Sequence, residues 1–372
     1  MSAALLAALL VLVAGAAAAG AETRTTILEL PNETQLSAQN DLALVSIRDA
    51  ATGLYSLQLV RDGRLEPLPV APSAAEFDAD LGTDSAGRPA VVFSRCFDPA
   101  HRDDPTAGGS PDAQANAGNC NLSILRIGVD AAEQPIANAN SESAEYAPTL
   151  WRGELAFART YVKGGRPVVY TKALVAPRSR PSTRQPAVPT RRCSVKGVPG
   201  GSCETRAATV DELELYGSRL AQIVSYSVSN QVGFLTREVR LVDIGRRSSA
   251  LVALGSTGEG GQTYLGASFA AGLMSWYRSC FGDPGGCPGA SGGAFRYRYT
   301  AGTYQHAEDP YVGLTGYSLL RDATLQVDGR TELGDTTPGA CDDPTTGARE
   351  TGCPLVRTGP LSWKAIAANH VR

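Results

Sequence analysis

The sequence predicts an all-β fold, and three observations carry that expectation. Short runs rich in Val, Leu, Ile and Tyr recur along most of the 372 residues, bounded by Gly, Asp and Asn turns. They fall into groups of three or four strands, repeated at roughly 40 to 65 residues, which is the habit of a repeat architecture. Between the groups no convincing amphipathic helix is present; the only helical candidates are the N-terminal apolar run and a short Ala-rich tail around Trp363 to Ala368. Sheets stacked face to face around a ring fit all three, because both faces of each sheet are then buried and its strands read as densely apolar. The expected fold is a β-propeller, six-bladed and closed by an N-terminal strand, filling residues 22–372 as one domain.

The elements follow in order. Residues 26–30 alternate weakly ahead of a turn at Pro31-Asn32, and they are assigned to the outer edge of the sixth blade. A ring must close, since an open blade edge invites aggregation. The first repeat reads 42–47, a turn at Ala51-Thr52-Gly53, 54–60 with period-2 alternation, a turn at Asp62-Gly63, and 65–70. The second begins at 77–82, runs through 89–93 to Cys96, returns from Cys120 along 122–127 and finishes near Pro135-Ile136. The third is 147–153, 155–158, a turn at Gly164-Gly165, and 168–170. Residues 177–207, rich in Pro, Arg and Ser, cannot bury much apolar surface and read as an extended insertion. The fourth repeat is the most regular, with 213–217, 221–226, 239–244 and 250–254. The fifth holds 264–268, 273–277, 294–299 and a weak strand near Tyr304; the sixth holds 312–316, 323–327 and 355–357.

Composition bounds the partners and the compartment. A formal net charge of -3 and a pI near 5.8 leave no overall basic surface for a phosphate backbone, so nucleic acid is not an expected partner. Of the 34 Lys and Arg residues only Lys163, Lys172, Lys196 and Lys364 are lysines, a bias typical of a GC-rich bacterial source. Residues 3–13 are uncharged and apolar, and small residues ending in Ala19-Gly20-Ala21 follow. Residues 1–21 therefore read as a secretory signal cleaved near Ala21, and the run is too short to span a bilayer. The mature chain is expected to be secreted or otherwise extracytoplasmic, monomeric, and not embedded in a membrane.

Eight cysteines agree with export. They form four sequence-local pairs: Cys96 with Cys120, Cys193 with Cys203, Cys280 with Cys287, and Cys341 with Cys353. Eight cysteines allow about 105 connectivities, and neighbours across a hairpin mouth are the simplest choice. The spacings lack the C-x-x-C knuckles of a structural zinc site, so no metal is assigned to them.

The turn-bounded strand Ala147-Pro148-Thr149-Leu150-Trp151-Arg152-Gly153, followed by Leu155-Ala156-Phe157-Ala158 and Val168-Val169-Tyr170, resembles the WD40-like propeller repeats of TolB-type periplasmic proteins. The resemblance covers most of residues 35–360; Trp151-Arg152-Gly153 and Asp84-Ser85-Ala86-Gly87 stand where the family has a Ser-Pro-Asp-Gly turn. It implies a six-bladed ring used for binding, commonly of protein partners, without inherent catalysis.

Several motifs carry residue types with chemical potential. Gly289-Ala290-Ser291-Gly292-Gly293 matches G-x-S-x-G, but a nucleophile elbow needs a strand before it and a helix after it, and here a cysteine loop precedes and a strand follows. His306 with Glu308 or Asp309 would be its imagined partners. Asp78, Asp80 and Asp84 offer oxygens to calcium, yet lack the remaining ligands of an EF-hand loop; in a strand Asp78 and Asp80 share one face, towards a central channel. Residues 255–261 are Gly-rich without the Lys-Ser/Thr ending of a phosphate loop. His101, His306 and His370 are dispersed and read as surface residues. The aromatic strands holding Trp276-Tyr277 and residues 295–299 are explained by packing between blades. Asn32-Glu33-Thr34 and Asn121-Leu122-Ser123 match the glycosylation sequon.

Two functions follow. The first is an exported binding scaffold for a protein or cell-envelope component, with no catalytic residue and no cofactor. The second is a propeller-fold enzyme acting on glycans, hydrolase or lyase, through inner-strand carboxylates such as Asp78, Glu145 and Asp211.

Overall fold

The computed structural model is a six-bladed β-propeller. It describes residues 23–32, 34–96, 120–161, 167–174, 183–185, 193–194, 202–203, 205–228, 235–257, 262–270, 272–280, 293–309, 314–320, 323–328, 341–342, 349–350 and 352–366. Among these there is no helix.

Blade 1 consists of Leu36–Gln39, Leu42–Arg48, Tyr55–Arg61 and Arg64–Pro67. Blade 2 is Asp78–Thr83, Pro89–Cys96, Cys120–Arg126 and Gln134–Pro135. Blade 3 is Ala144–Trp151, Glu154–Thr160, Val168–Ala173 and Thr183–Arg184. Blade 4 has long strands, Thr205–Tyr216, Arg219–Val228, Leu235–Asp243 and Ser248–Thr257. Blade 5 is Gln262–Ala270, Leu273–Cys280, Gly293–Thr300 and Thr303–Asp309, with Lys364–Ile366 added outside. Blade 6 takes Leu314–Leu319, Thr324–Asp328 and Cys353–Gly359 from the C-terminal region, and its outer strand is Thr23–Leu30.

That last pairing closes the ring as expected. Leu30 stands opposite Cys353 and Thr23 opposite Gly359, and the Thr23 hydroxyl donates to the Gly359 carbonyl at 2.6 Å. The first strand of every blade contacts the first strand of the next, including blade 6 against blade 1. Apolar clusters fill five of the seams, for example Phe77, Leu81, Val91 and Phe93 of blade 2 against Leu44, Leu57 and Leu59 of blade 1. The seam between blades 5 and 6 includes polar contacts among its described residues. There Tyr277 packs on Tyr317, the Ser275 and Tyr317 hydroxyls lie 2.7 Å apart, and the fully buried Arg296 reaches the Thr324 hydroxyl at 3.5 Å.

Three readings of the sequence are corrected. The inner strand of blade 1 is Leu36–Gln39, so the run beginning at residue 42 is its second strand. Leu-Ser-Ala-Gln is too short and mixed to stand out, because an inner strand turns polar positions to the channel. The weak strand near Tyr304 is a full member of blade 5. The described part of the Ala-rich tail is no helix: Lys364–Ile366 pairs with residues 304–306, and an available sheet edge overrides the propensity of alanine there, while residues 367 and 368 lie outside the described residues.

Strand polarity places the cysteines. In an antiparallel blade, connections between strands two and three, and from strand four to the next blade, emerge on one face of the ring. Cys96 and Cys120 face each other in the ladder of blade 2 and are disulfide-bonded. Cys193 and Cys203 stand in register in a two-stranded hairpin between blades 3 and 4. Cys280 ends the second strand of blade 5, and Cys353, itself disulfide-bonded, opens the third strand of blade 6. All four positions belong to connections of the same face. Cys287 and the side chains of Cys193, Cys203, Cys280 and Cys341 lie outside the described residues. So do residues 1–22, His101, His370, Ser291, Glu33, the side chains of Glu308 and Asp309, and most of the insertion at 177–207.

Candidate functional site in the central channel

The acids of the inner strands separate into two sets. In the first, each carboxylate meets an arginine or hydroxyl of its own blade. The Arg159 guanidinium lies 2.7 Å from Glu145, and the Ser141 hydroxyl donates to the same carboxylate at 2.6 Å. Burial pushes Glu145 up despite these partners. Asp211 accepts from Thr209 at 2.8 Å and from the Ser225 hydroxyl, with Arg237 at 3.7 Å. It occupies a bulge between Val210 and Glu212, the extra residue turning towards its own sheet.

The second set, Asp78, Asp80, Glu212 and Glu214, joins one blade to the next. Tyr146 and Thr149 are separated by a ladder irregularity at which Ala147 adopts φ 46°, and the N–H this frees donates to Asp78 Oδ2 at 2.6 Å. The same device recurs two blades on. Gly266, with φ 64° in the bulge between Leu265 and Ser268, donates its N–H to Glu212 Oε2 at 2.9 Å.

Two residues further along each strand a second row of ties forms. The Ser37 hydroxyl accepts from Leu81 N at 2.9 Å; Asp80 Oδ2 accepts from Leu150 N at 2.9 Å; Thr149 Oγ1 accepts from Leu215 N at 3.0 Å; Ser268 Oγ accepts from Leu319 N at 2.8 Å. Ser318 continues the row by donating to Ala38 O at 3.5 Å across the closing seam. A polar side chain followed by an apolar one thus recurs at the same level of each inner strand, and on blades 1, 2, 3 and 5 its oxygen takes an amide of the blade after it. The blades approach so closely here that a Cβ on Gly82 would lie 1.9 Å from the Leu150 carbonyl oxygen.

Four carboxyls in one channel perturb one another. Burial pushes Asp78 up to about 6, against the Ala147 amide and helped by the charge of Asp80. Burial likewise raises Asp80, opposed chiefly by Ser37. Burial pushes Glu212 up to about 8, with the Ala267 and Gly266 amides opposing and Asp211 and Asp78 adding to it. Glu214 is raised well above the usual carboxylate range by burial, then by Asp80 and Glu212. Asp78, Glu212 and Glu214 are only half-buried by surface area, although protein atoms surround them. Side chains lining a narrow channel have both properties.

Of the three carboxylates named from sequence, Asp78 belongs to this channel group, while Glu145 and Asp211 are directed to partners within their own blades. Asp80 joins Asp78 as its two-residue spacing implies. Asp84 does not: it holds a turn, accepting from Ala86 N and Arg88 N at 2.9 Å each and pairing with the Arg88 guanidinium at 2.7 Å. Sequence reasoning missed Glu212 and Glu214. The signal was present, since Glu212-Leu213-Glu214 repeats the acid-x-acid spacing of Asp78-Ala79-Asp80 on another inner strand. Among the described residues no group of His, Cys, Asp and Glu has the arrangement of a metal site. His306 packs beside Tyr297, and Trp276 stacks on Tyr297 in the seam between blades 4 and 5.

No family model matches this chain, and neither does any curated protein. Solved structures give distant likenesses. The β-propeller domain of the Trilobed protease from Pyrococcus furiosus is 8% identical, with 90% of this chain and 97% of that one covered and a TM-score of 0.41. A member of the duf4221 family from Bacteroides vulgatus is 9% identical over 94% and 98% of the two chains, with a TM-score of 0.41. An oligogalacturonate lyase in complex with manganese is 10% identical over 88% and 76%, with a TM-score of 0.37. Likenesses this distant carry nothing about site or activity.

Proposed function

We propose that this chain is an exported, non-catalytic binding propeller that holds a protein or cell-envelope component on the face where its cysteine-bearing connections gather. One observation carries the reading: the described cysteines, the disulfide-bonded Cys96 and Cys120 together with Cys193, Cys203, Cys280, Cys341 and Cys353, all stand on connections of that single face, while Asp78, Asp80 and Glu212 in the channel accept amides of the neighbouring blade. Covalently closed loops on a rigid ring make a durable recognition surface. The disulfide between Cys96 and Cys120 suits an oxidising compartment, and the sequence resemblance of the repeats to those of TolB-type periplasmic proteins supports the same reading.

The test is capture by the oxidised protein of components of its own cell envelope and medium, identified by mass spectrometry. A single protein retained near equal stoichiometry, and lost when Cys96 and Cys120 are both replaced by Ser, is the expected result. Retention of background alone, or retention indifferent to the cysteine-bearing loops, would overturn the reading.

The glycan-active enzyme stands second. In its favour, Asp78 at about 6 and Glu212 at about 8 are acids able to give up a proton near neutrality. Against it, both already accept amides of the next blade, which leaves them poorly free to approach a substrate. Release of reducing ends from acidic or neutral glycans, abolished by Glu212→Gln, would favour this second reading over the first.

A further inference from the structure

The ring face opposite the cysteines is built from turns between strands one and two and between strands three and four. On blades 3 and 4 these turns form a continuous aromatic and cationic surface. Trp151 ends the inner strand of blade 3, and its ring lies 4.2 Å, centroid to centroid, from Tyr216 at the end of the inner strand of blade 4. Both rings are only half-buried. Arg152, exposed in the turn with φ 48°, sets its guanidinium over the Trp151 ring at 5.6 Å.

The cationic surface continues across blade 4. Arg219 follows Tyr216 across the Gly217-Ser218 turn, is exposed, and spends one nitrogen on Gly272 O at 3.0 Å. Arg219 stands in register with Asp243, and Ile244 N donates to Ser218 O, so the adjoining turn brings Arg246 and Arg247 alongside. Arg246 is 86% exposed, at 3.8 Å from Asp243, and Arg247 donates to the Arg184 carbonyl at 2.8 Å. The acids of these turns are Asp243 and the partly buried Glu154, whereas Asp84 and Asp130 of blade 2 are already paired with Arg88 and Arg126.

We propose that Trp151, Tyr216, Arg152, Arg219, Arg246 and Arg247 form a docking surface for an acidic polypeptide segment. Four exposed guanidinium groups exceed the local carboxylates, and the planar guanidinium matches a carboxylate bidentately. Trp, Tyr and Arg are the residue types that dominate protein-protein hot spots, and an open aromatic pair supplies the apolar anchor a purely ionic patch lacks. The whole chain is acidic, so the surface is a local exception that a short acidic segment can use and a long polyphosphate meets against net repulsion. This surface is independent of the cysteine-bearing face, so either proposal can fail alone.

The test uses the full oxidised chain and a short fluorescein-labelled peptide of alternating Glu and Leu, followed by anisotropy and by tryptophan emission. Saturable binding is expected, weakening as salt is raised, with quenching that is strongly reduced in Trp151→Phe because Trp276 is fully buried and Trp363 packs against Arg298 of blade 5. Arg246→Glu with Arg247→Glu should weaken binding by about tenfold or more. Arg152→Asn, a residue that tolerates the left-handed turn, should weaken it independently. Binding unchanged by both variants, no saturation at low salt, or tighter binding of alginate or single-stranded DNA than of the peptide would each overturn the proposal.

Discussion

The channel carboxyls set how the protein responds to pH. Asp78 is raised from 3.8 to about 6 and Glu212 from 4.5 to about 8, burial being the main cause of each. The folded state therefore holds protons that the unfolded chain has released between those values. Their contribution to stability is complete below pH 3.8 and 4.5 and is lost as pH rises through about 6 and about 8. Among the described residues, the groups that perturb them are acids, amides and hydroxyls. We expect unfolding free energy to fall by on the order of 2 kcal/mol between about pH 5 and pH 8, after allowing for solvent in the channel. Glu212→Gln should flatten that slope and melt above the native protein near pH 8. Stability that rises over this range in thermal melts would contradict the assignment. Gly82 is the second sensitive position: its Cβ site collides with the backbone of Leu150, which cannot retreat without parting blades 2 and 3. Gly82→Ala should cost roughly 3 kcal/mol or more in urea denaturation, whereas Gly245→Ala, at 3.4 Å from a surface side chain, should cost under about 1 kcal/mol.

At the scale of elements, ring closure rests on Thr23–Leu30. Its fully buried Leu30 belongs to the same apolar cluster as Val327 and Leu355 of blade 6 and Val45 of blade 1. Removing residues 23–30 would leave Cys353–Gly359 as an unpaired edge and open that cluster. The deleted protein is expected to melt well below the intact one and to self-associate on size-exclusion chromatography, with partial recovery on adding the strand as a peptide. Unchanged melting and a monodisperse profile would show that closure is supplied elsewhere. The elements that sequence reasoning found are those with both faces apolar, such as Pro89–Cys96 and Arg219–Val228. It missed Leu36–Gln39 and Lys364–Ile366, an inner and an outer strand, because a strand that borders the channel or the rim needs few apolar residues.

For the whole molecule, the sequence by itself determined the all-β class, the sixfold repetition and the closure by an N-terminal strand. Each of these is written in local periodicity, in turn residues and in a strand left over at one end. It also determined which residues carry charge, including the paired spacings Asp78 to Asp80 and Glu212 to Glu214. Only the tertiary structure decided where those charges go. Bulges at Ala147 and Gly266 turn amides towards acids of the preceding blade, so carboxylates far apart in sequence share one channel, while Glu145 and Asp211 on the same strands are neutralised within their blades. Arg152, Arg219, Arg246 and Arg247 likewise become one surface only when the turns of blades 3 and 4 are set side by side. The physical reason is the same in each case: periodicity is a property of neighbouring residues, whereas convergence depends on how successive sheets are rotated and packed about the ring.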